Sequence, residues 1–467
     1  MKISFHGAAR EVTGSAHLLE ANKKKIFVDF GMFQGGVRED LENRNLPCDP
    51  EDIDYIVLTH EHLDHCGRIP YAVKKGFRGE IITTEPSYAI SSLIMNDSAK
   101  SFERKAAFEA EQYAKGKKSE KSINSTPLYT QADVKKALQY FGNFRNYNEQ
   151  IDLGDGITLE LINSGHILGA ASAVFKIDEN GTEKSIVFSG DIGNNNKPIV
   201  FNPTLPPRAN FVVQETTYAD RIHVPIEVSV QDLYKVVNET FNKGGNVIIP
   251  TFAVERAQEI LYFLREGLEN GALPSDMKVF LDSPMAIDAT EIMMNYSDWF
   301  NDDAKKLIKR GVDPFIFPNL KMTKSVEDSK AINDVKRGAV ILAGSGMGDG
   351  GRVHHHLKHN LWRPECSIAK ISFAVEGSLA HKIASGIPVV YIQGRPIDVR
   401  AKIFRINGLS AHADKEGLNK WHRSTGKPET TFLTHGSYDT SMVPFAERLR
   451  ARGCHVEMPT MNQEYNL

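Results

Sequence analysis

The sequence predicts an α/β protein whose second half carries a doubly wound parallel sheet. Three observations lead there. From about residue 205, apolar strand-like runs alternate with helical stretches. Several of these runs are short and continuously apolar, the pattern of strands buried on both faces. Residues able to bind metals or move protons stand directly after such runs, where α/β sheets gather their sites.

The elements follow in order. Met1–Arg10 reads as a strand entering a loop, and Lys25–Phe30 as a strand stopped by Gly31. Ile53–Thr59 is a compact apolar strand that runs into His60, and Arg68–Lys75 is a short helix. Residues 87–145 are Lys/Glu-rich and mostly helical around a loop at Gly116–Pro127, with the charge run Lys115–Lys121 facing solvent. Strands return at Thr158–Ile162 and Ser185–Ser189. After Pro203–Pro207 the alternation begins, with strands at Asn246–Thr251, Met277–Leu281, Ala339–Ala343, Ser367–Phe373 and Pro388–Ile392. Helices are expected at Val254–Glu269 and Ala286–Asn295. The C-terminal stretch returns to short strands such as Thr430–Thr434, and there is no internal repeat.

Composition narrows the function classes. The 467 residues carry 56 basic and 59 acidic side chains, a net charge of −3, so an anionic polymer must be met in a local groove. The four cysteines, Cys48, Cys66, Cys366 and Cys454, form no C-x-x-C pair, which argues against a zinc ribbon or disulfide scaffold and for a reduced, cytoplasmic setting. No apolar run approaches the roughly 18 residues of a membrane span, and the start has no signal-peptide core. Histidine is plentiful, at sixteen.

Those histidines carry the chemistry. His60-Glu61-His62-Leu63-Asp64-His65 places four donors in six residues at a strand end. A tight loop there aims His60 and His62 at one ion and Asp64 and His65 at a neighbouring one. Imidazole and carboxylate suit Zn²⁺, with Mn²⁺ or Fe²⁺ as alternatives. His166 sits in the glycine-flanked loop Asn163–Gly169, Asp191 follows Ser185–Gly190, and His435 follows Thr430–Thr434.

His60–His65, His166, Asp191 and His435 together resemble the ligand set of the metallo-β-lactamase superfamily. The resemblance implies a four-layer αβ/βα sandwich with one or two metals at its edge. Here 244 positions (435 − 191) separate Asp191 from His435, so a large segment is inserted. Gln214–Tyr218, Ile249–Glu259, Leu281–Ala286, Ala343–Met347 and Gly350–Arg352 resemble, in order and wording, the β-CASP branch, which includes the mRNA 3′-end cleavage endonuclease and RNase J. Glu215 matches the branch's motif A, His412 in Leu409–Asp414 its motif B, and His435 its motif C, where histidine accompanies RNA rather than DNA. Two departures stand out: Gly436-Ser437 where Gly-Glu is common, and Val254-Glu255-Arg256 where a glycine usually precedes the arginine.

The resemblance implies domains at 1–205 and 396–467 (a metallo-β-lactamase core) and 206–395 (a doubly wound β-CASP insert). It implies a zinc-dependent ribonuclease using two Zn²⁺, or Mn²⁺, to leave 3′-hydroxyl and 5′-phosphate ends. His60, His62 and His166 would hold one ion, Asp64, His65 and His435 the other, and Asp191 would bridge them. Asp64 would also accept a hydrogen bond from the attacking water. His412 would be the general acid, with Glu215 fixing its tautomer and raising its pKa. Asp29 would orient a ligand histidine.

Backbone N–H groups of Ser345, Gly346 and Met347 would meet an RNA phosphate, with charge from Arg352 and a further contact from Ser410. His354, His355 and His356 read as a solvated helix face, and His6 and His17 as loop residues near the site. The expected partner is single-stranded RNA in a cleft between core and insert, with a homodimer compatible and no membrane. The competing readings are a hydrolase of small esters, thioesters or lactams, and a non-catalytic RNA-processing scaffold.

Overall fold

The structure is a computed structural model that describes residues 1–35, 39–115, 126–142, 144–371 and 376–467. The expected loop at Gly116–Pro127 up to Ser125, the charge run beyond Lys115, and the end of the run Ser367–Phe373 lie largely outside the described residues. The chain divides into two compact units. One comprises Met1–Asn195, Asn202–Ile222 and His412–Leu467; the other comprises Asn196–Phe201 and His223–Ala411.

The first unit stacks two sheets. One has six strands in the order Gln463–Asn466, Lys2–Phe5, His17–Ala21, Lys24–Val28, Tyr55–Val57, Glu80–Ile82. The other has seven: Val456–Glu457, Thr430–Thr434, Phe211–Glu215, Thr182–Phe188, Ala171–Glu179, Ile157–Asn163, Gln150–Gly154. Phe5, Leu19 and Val28 of the first sheet share a core with Phe175, Phe188 and Phe432 of the second, as expected for sheets packed face to face. On the far side of the seven-stranded sheet, Val187, Val212 and Leu433 pack against Leu418 and Trp421 of the helix Lys415–Ser424, and against Phe445 and Leu449 of the helix Val443–Ala451. The alternation along each strand divides its side chains between these two cores.

The second unit is a six-stranded sheet in the order Leu320–Met322, Lys278–Leu281, Ala339–Ala343, Val247–Pro250, Ser367–Lys370, Lys402–Arg405, with every pairing parallel. Sheet order departs from chain order on both sides of Val247–Pro250, which is the doubly wound arrangement. One expectation is corrected. Pro388–Ile392 is not a strand of this parallel layer. Its residues Val389–Ile392 pair antiparallel with Arg395–Asp398 in a separate hairpin. The reason is the two-residue link Gln393-Gly394, with φ of 53° and 75°, which reverses the chain as primed hairpin turns do. The edge place in the layer goes to Lys402–Arg405.

Among the described residues no helix is long and apolar enough to cross a membrane.

Candidate metal centre and proton-transfer pair

Strand ends of the first unit deliver the site. The strand Tyr55–Val57 leads through Thr59 into His60, and Leu63–Cys66 forms one helical turn in which the N–H groups of His65 and Cys66 bond the His62 carbonyl. Neighbouring backbone holds that turn: Ser15 N–H donates to Asp64 O at 2.8 Å and Phe30 N–H to His65 O at 2.8 Å. Gly31 lies against it so closely that a Cβ there would stand 1.6 Å from Asp64 O. Gly31→Ala is therefore expected to displace the turn, lowering stability by about 2 kcal/mol or more and reducing bound metal. Thermal unfolding and metal analysis of the variant check this.

Three adjacent parallel strands supply further groups. The ladder pairs Phe188 with Val213 and Glu215 with Thr434, so Asp191, Glu215 and His435 emerge at one end of the sheet. His435 has φ of 50°, and its N–H donates to Ala8 O at 2.8 Å. His166 enters from the loop after Ile157–Asn163. Gly193 presses on that loop, since a Cβ there would lie 1.8 Å from Gly165 O. His412 is carried beside it by a bridge to Gly193 and by Ala413 N–H donating to Ile192 O at 2.7 Å.

The donor atoms converge in two sets. His60 Nε2 is 3.1 Å from His62 Nδ1, which is 3.2 Å from His166 Nε2. His65 Nε2 is 3.2 Å from His435 Nε2, which is 3.4 Å from Asp64 Oδ2. Asp191 Oδ2 belongs to both surroundings, at 3.4 Å from His60 Nε2, 3.5 Å from His166 Nε2 and 3.5 Å from His65 Nε2. Ligands at the corners of a tetrahedron around Zn²⁺, each about 2.0–2.1 Å from it, are separated by roughly 3.3 Å. The spacing fits an ion in each set, and so does the donor chemistry. Asp191 Oδ1 is buried with no hydrogen-bond partner, an arrangement that nearby positive charge would offset.

Protonation follows the same division. Burial, then the charge of His60, pushes the His62 imidazole down to about 3. Burial also lowers His60 and holds His166 well below its usual value. These rings are neutral and offer lone pairs. Burial works against the charged form of His65, but Asp191 and Asp29 outweigh it and raise the ring well above its usual value. Burial likewise opposes ionisation of Asp64 and Asp191, and the surrounding histidines prevail in both, holding the carboxyls below their usual range. Ion binding at His65 must then release a proton.

Asp29 Oδ2 stands 2.6 Å from His65 Nδ1, while its Oδ1 accepts from Thr59 N–H at 2.8 Å. That carboxylate directs His65 Nε2 toward the cluster. Beside the first set, His412 Nδ1 is 3.2 Å from Glu215 Oε1 and 3.8 Å from Asp191 Oδ2. Glu215 also accepts from Ile192 N–H at 2.8 Å and Thr217 N–H at 3.0 Å, which fixes its carboxylate. Burial opposes a charged His412, but Glu215 and Asp191 outweigh it and raise the ring above its ordinary value.

Sequence reasoning missed some participants and misread others. Thr217 Oγ1 lies 3.0 Å from His435 Nδ1, and Thr59 Oγ1 bonds Asp29. The signal available was their position, immediately before or two residues beyond a motif residue. His17 begins a strand instead of lying in a loop. It is buried, pushed down to about 3 by that burial, and lines a narrow cavity with Asp29, His65, Asp191 and His435. His6 follows the strand Lys2–Phe5 and bonds Asn462 Oδ1 at 2.8 Å.

Ser345, Gly346, Met347, Arg352 and Ser410 belong to the second unit. Gly346 is buried against the Phe252 ring. Arg352, expected to bring charge to an RNA phosphate, is engaged within its own unit. Its guanidinium donates to Asp282 Oδ1 at 2.7 Å, Thr323 O at 2.6 Å and Lys324 O at 2.7 Å. The solvated reading of His354–His356 is corrected at His356, which is buried with Nε2 2.6 Å from Asp282 Oδ2. Both follow from one buried carboxylate. Burial alone would raise Asp282, but bonds from His356, Ser329, Thr323 and Arg352 hold it below the usual carboxylate range. Glu255, where the family usually has glycine, takes φ of 60° and is buried against Lys197.

Comparison with known proteins places these features in a family. Residues 9–250 match the family described as metallo-beta-lactamase superfamily, 257–383 match the Beta-Casp domain, and 396–459 match the Zn-dependent metallo-hydrolase RNA specificity domain. The chain is 34% identical over 461 residues to Ribonuclease TTHA0252 of Thermus thermophilus, covering 98% of each chain. It is 29% identical to the transcription termination factor FttA of Methanocaldococcus jannaschii, covering 96% of this chain and 69% of that one. It is 27% identical to an RNase J-like protein of the same organism, covering 93% and 92%. A crystal structure of a protein of unknown function from Enterococcus faecalis shares the fold, with TM-score 0.57 at 13% identity over 100% of this chain and 99% of that one.

Proposed function

Since the chain belongs to the β-CASP branch of the metallo-β-lactamase superfamily and is a metal-dependent hydrolase, we propose that it is a ribonuclease that cleaves single-stranded RNA, leaving 3′-hydroxyl and 5′-phosphate ends. The observation that carries this reading is the His412–Glu215 pair standing 3.2 Å apart beside Asp191. A ribose 3′ oxygen is a poor leaving group and needs a proton as its bond to phosphorus breaks. A thioester or activated lactam makes far less demand on such an acid, so the pair favours a phosphodiester.

His60 Nε2, His62 Nδ1, His166 Nε2 and Asp191 would hold one Zn²⁺, and Asp64, His65, His435 and Asp191 a second. Bound divalent ions would supply a nucleophile from water at neutral pH and polarise a phosphoryl oxygen. Asp64 Oδ2 accepts a proton-bearing bond from the attacking water and orients it. His412, charged through Glu215, donates its proton to the departing 3′ oxygen. Asp29 keeps His65 in the tautomer whose Nε2 lone pair faces inward. The domain division we propose is 1–205 with 396–467 for the core and 206–395 for the insert, adjusted in that the strand Phe211–Glu215 belongs to the core's sheet and the strand Lys402–Arg405 to the insert's.

The test is incubation of 5′-labelled and 3′-labelled RNA with the protein and Zn²⁺ or Mn²⁺. Fragments that ligate through a 5′-phosphate are expected, and their lengths separate internal cutting from 5′→3′ degradation. No cleavage with either ion, alongside rapid thioester turnover, sinks the reading.

A further inference from the structure

Two cations stand side by side in the insert's sheet with no acid between them. Lys370 ends the strand Ser367–Lys370, Arg405 ends the strand Lys402–Arg405, and the parallel ladder pairs them directly. Residues paired in a ladder project from the same face. Here that is the face on which Ile368 and Ile403, two residues earlier, pack with Leu379 and Ile383. Lys402–Arg405 is the edge strand of the sheet, so its outer side is not covered by another strand. Both cations sit at carboxyl ends of parallel strands, where open α/β sheets hold their ligands.

The surroundings do not neutralise the pair. Lys370 is half-buried and has no hydrogen-bond or ion-pair partner among the described residues. Burial, then the Arg405 charge, holds its amine below the usual lysine value. Arg405 is exposed and donates only to the Ala384 carbonyl, at the end of the helix Leu379–Ala384. Nearby cations differ: Lys402 pairs with Glu239 at 2.9 Å and Arg400 with Asp398 at 2.7 Å. Helix capping accounts for Arg405. It leaves Lys370 unexplained, because a half-buried ammonium beside a guanidinium destabilises the fold unless an anion joins them.

We infer that Lys370 and Arg405 form a phosphate clamp that binds a phosphodiester of the RNA substrate on the insert. Arg405 offers the planar fork suited to two phosphate oxygens, and Lys370 a point charge beside it. The inference rests on the ribonuclease reading and adds to it a substrate contact apart from the metal centre's residues.

The test uses the metal-loaded full chain and compares RNA with bis(p-nitrophenyl) phosphate, a small diester whose single phosphate is the one cleaved. In Lys370→Met the ratio of kcat/KM for RNA to that for the small diester is expected to fall about fivefold. The slope of log KM for RNA on log salt should shrink by about 0.7, the share of one phosphate contact on a single strand. The melting temperature should stay or rise, since a like-charge contact is removed. Lys370→Arg should restore the ratio, and Arg405→Gln should reproduce its loss.

An unchanged ratio and salt slope with a lower melting temperature in Lys370→Met overturns the clamp while RNA cleavage by the unaltered protein leaves the ribonuclease reading intact. Competition by inorganic phosphate that depends on Lys370, with the RNA ratio unchanged, assigns the pair to free phosphate and also overturns it. If the unaltered protein hydrolyses the small diester but no RNA, the ribonuclease reading falls and the clamp with it.

Discussion

His412→Ala is expected to lower RNA cleavage by about 10²–10⁴-fold, the usual contribution of a positioned general acid, with bound metal unchanged. The two readouts separate because of where the ring sits. His412 Nδ1 faces Glu215 Oε1 at 3.2 Å and lies 3.8 Å from Asp191 Oδ2. His412 belongs to neither of the converging sets, at His60, His62 and His166 and at Asp64, His65 and His435, and meets Asp191 with Glu215 instead. Glu215→Gln should act in the same direction but less, since Ile192 and Thr217 N–H groups still hold the side chain while the charge that raises His412 is gone. Rate and metal content measured on the same preparations check both. Full cleavage by His412→Ala at full metal content would falsify the acid assignment.

Asp191→Asn is expected to reduce bound metal and to lower cleavage by about 10³-fold or more, as loss of several kcal/mol of charge stabilisation implies. Its Oδ2 is the atom common to both sets, within 3.5 Å of His60, His166 and His65. Asparagine keeps the shape but brings no charge, and its amide cannot serve both sides as a carboxylate oxygen does. The variant should fold, because the strand Thr182–Phe188 and the Gly193–His412 bridge that place residue 191 involve backbone. Metal per chain measured at equal melting temperature decides the matter: a variant that retains the unaltered protein's metal content and normal cleavage removes Asp191 from the centre.

Much of this site is legible in the chain order of its residue types. Each donor follows an apolar run, and a buried strand can only deliver polar residues at its end. That is why His60, His166, Asp191 and His435 stand out without coordinates, whereas Glu215 is reached through the family resemblance. Where reading failed, a distant partner was the cause. His356 looks like a surface residue along the chain, yet it turns to Asp282, some seventy residues earlier and just beyond another strand. His17 sits on a strand whose neighbours, Phe5 and Phe188, bury it. Pro388–Ile392 has the composition of a layer strand, but the Gln393-Gly394 turn pairs it locally before the sheet can recruit it.

By itself the sequence determined the kinds of donor and their place at strand ends, because these depend on local pattern and residue chemistry; the acid–carboxylate pair is reached through the family resemblance. Which atoms meet was decided only by the tertiary structure. Phe211–Glu215 and Thr430–Thr434 lie in adjacent ladder positions although the whole insert separates them in the chain. That pairing sets His435 beside His65, and Asp191 among rings drawn from four chain segments. Burial of the assembled cluster then sets which rings are neutral and which are charged, a property no isolated segment possesses.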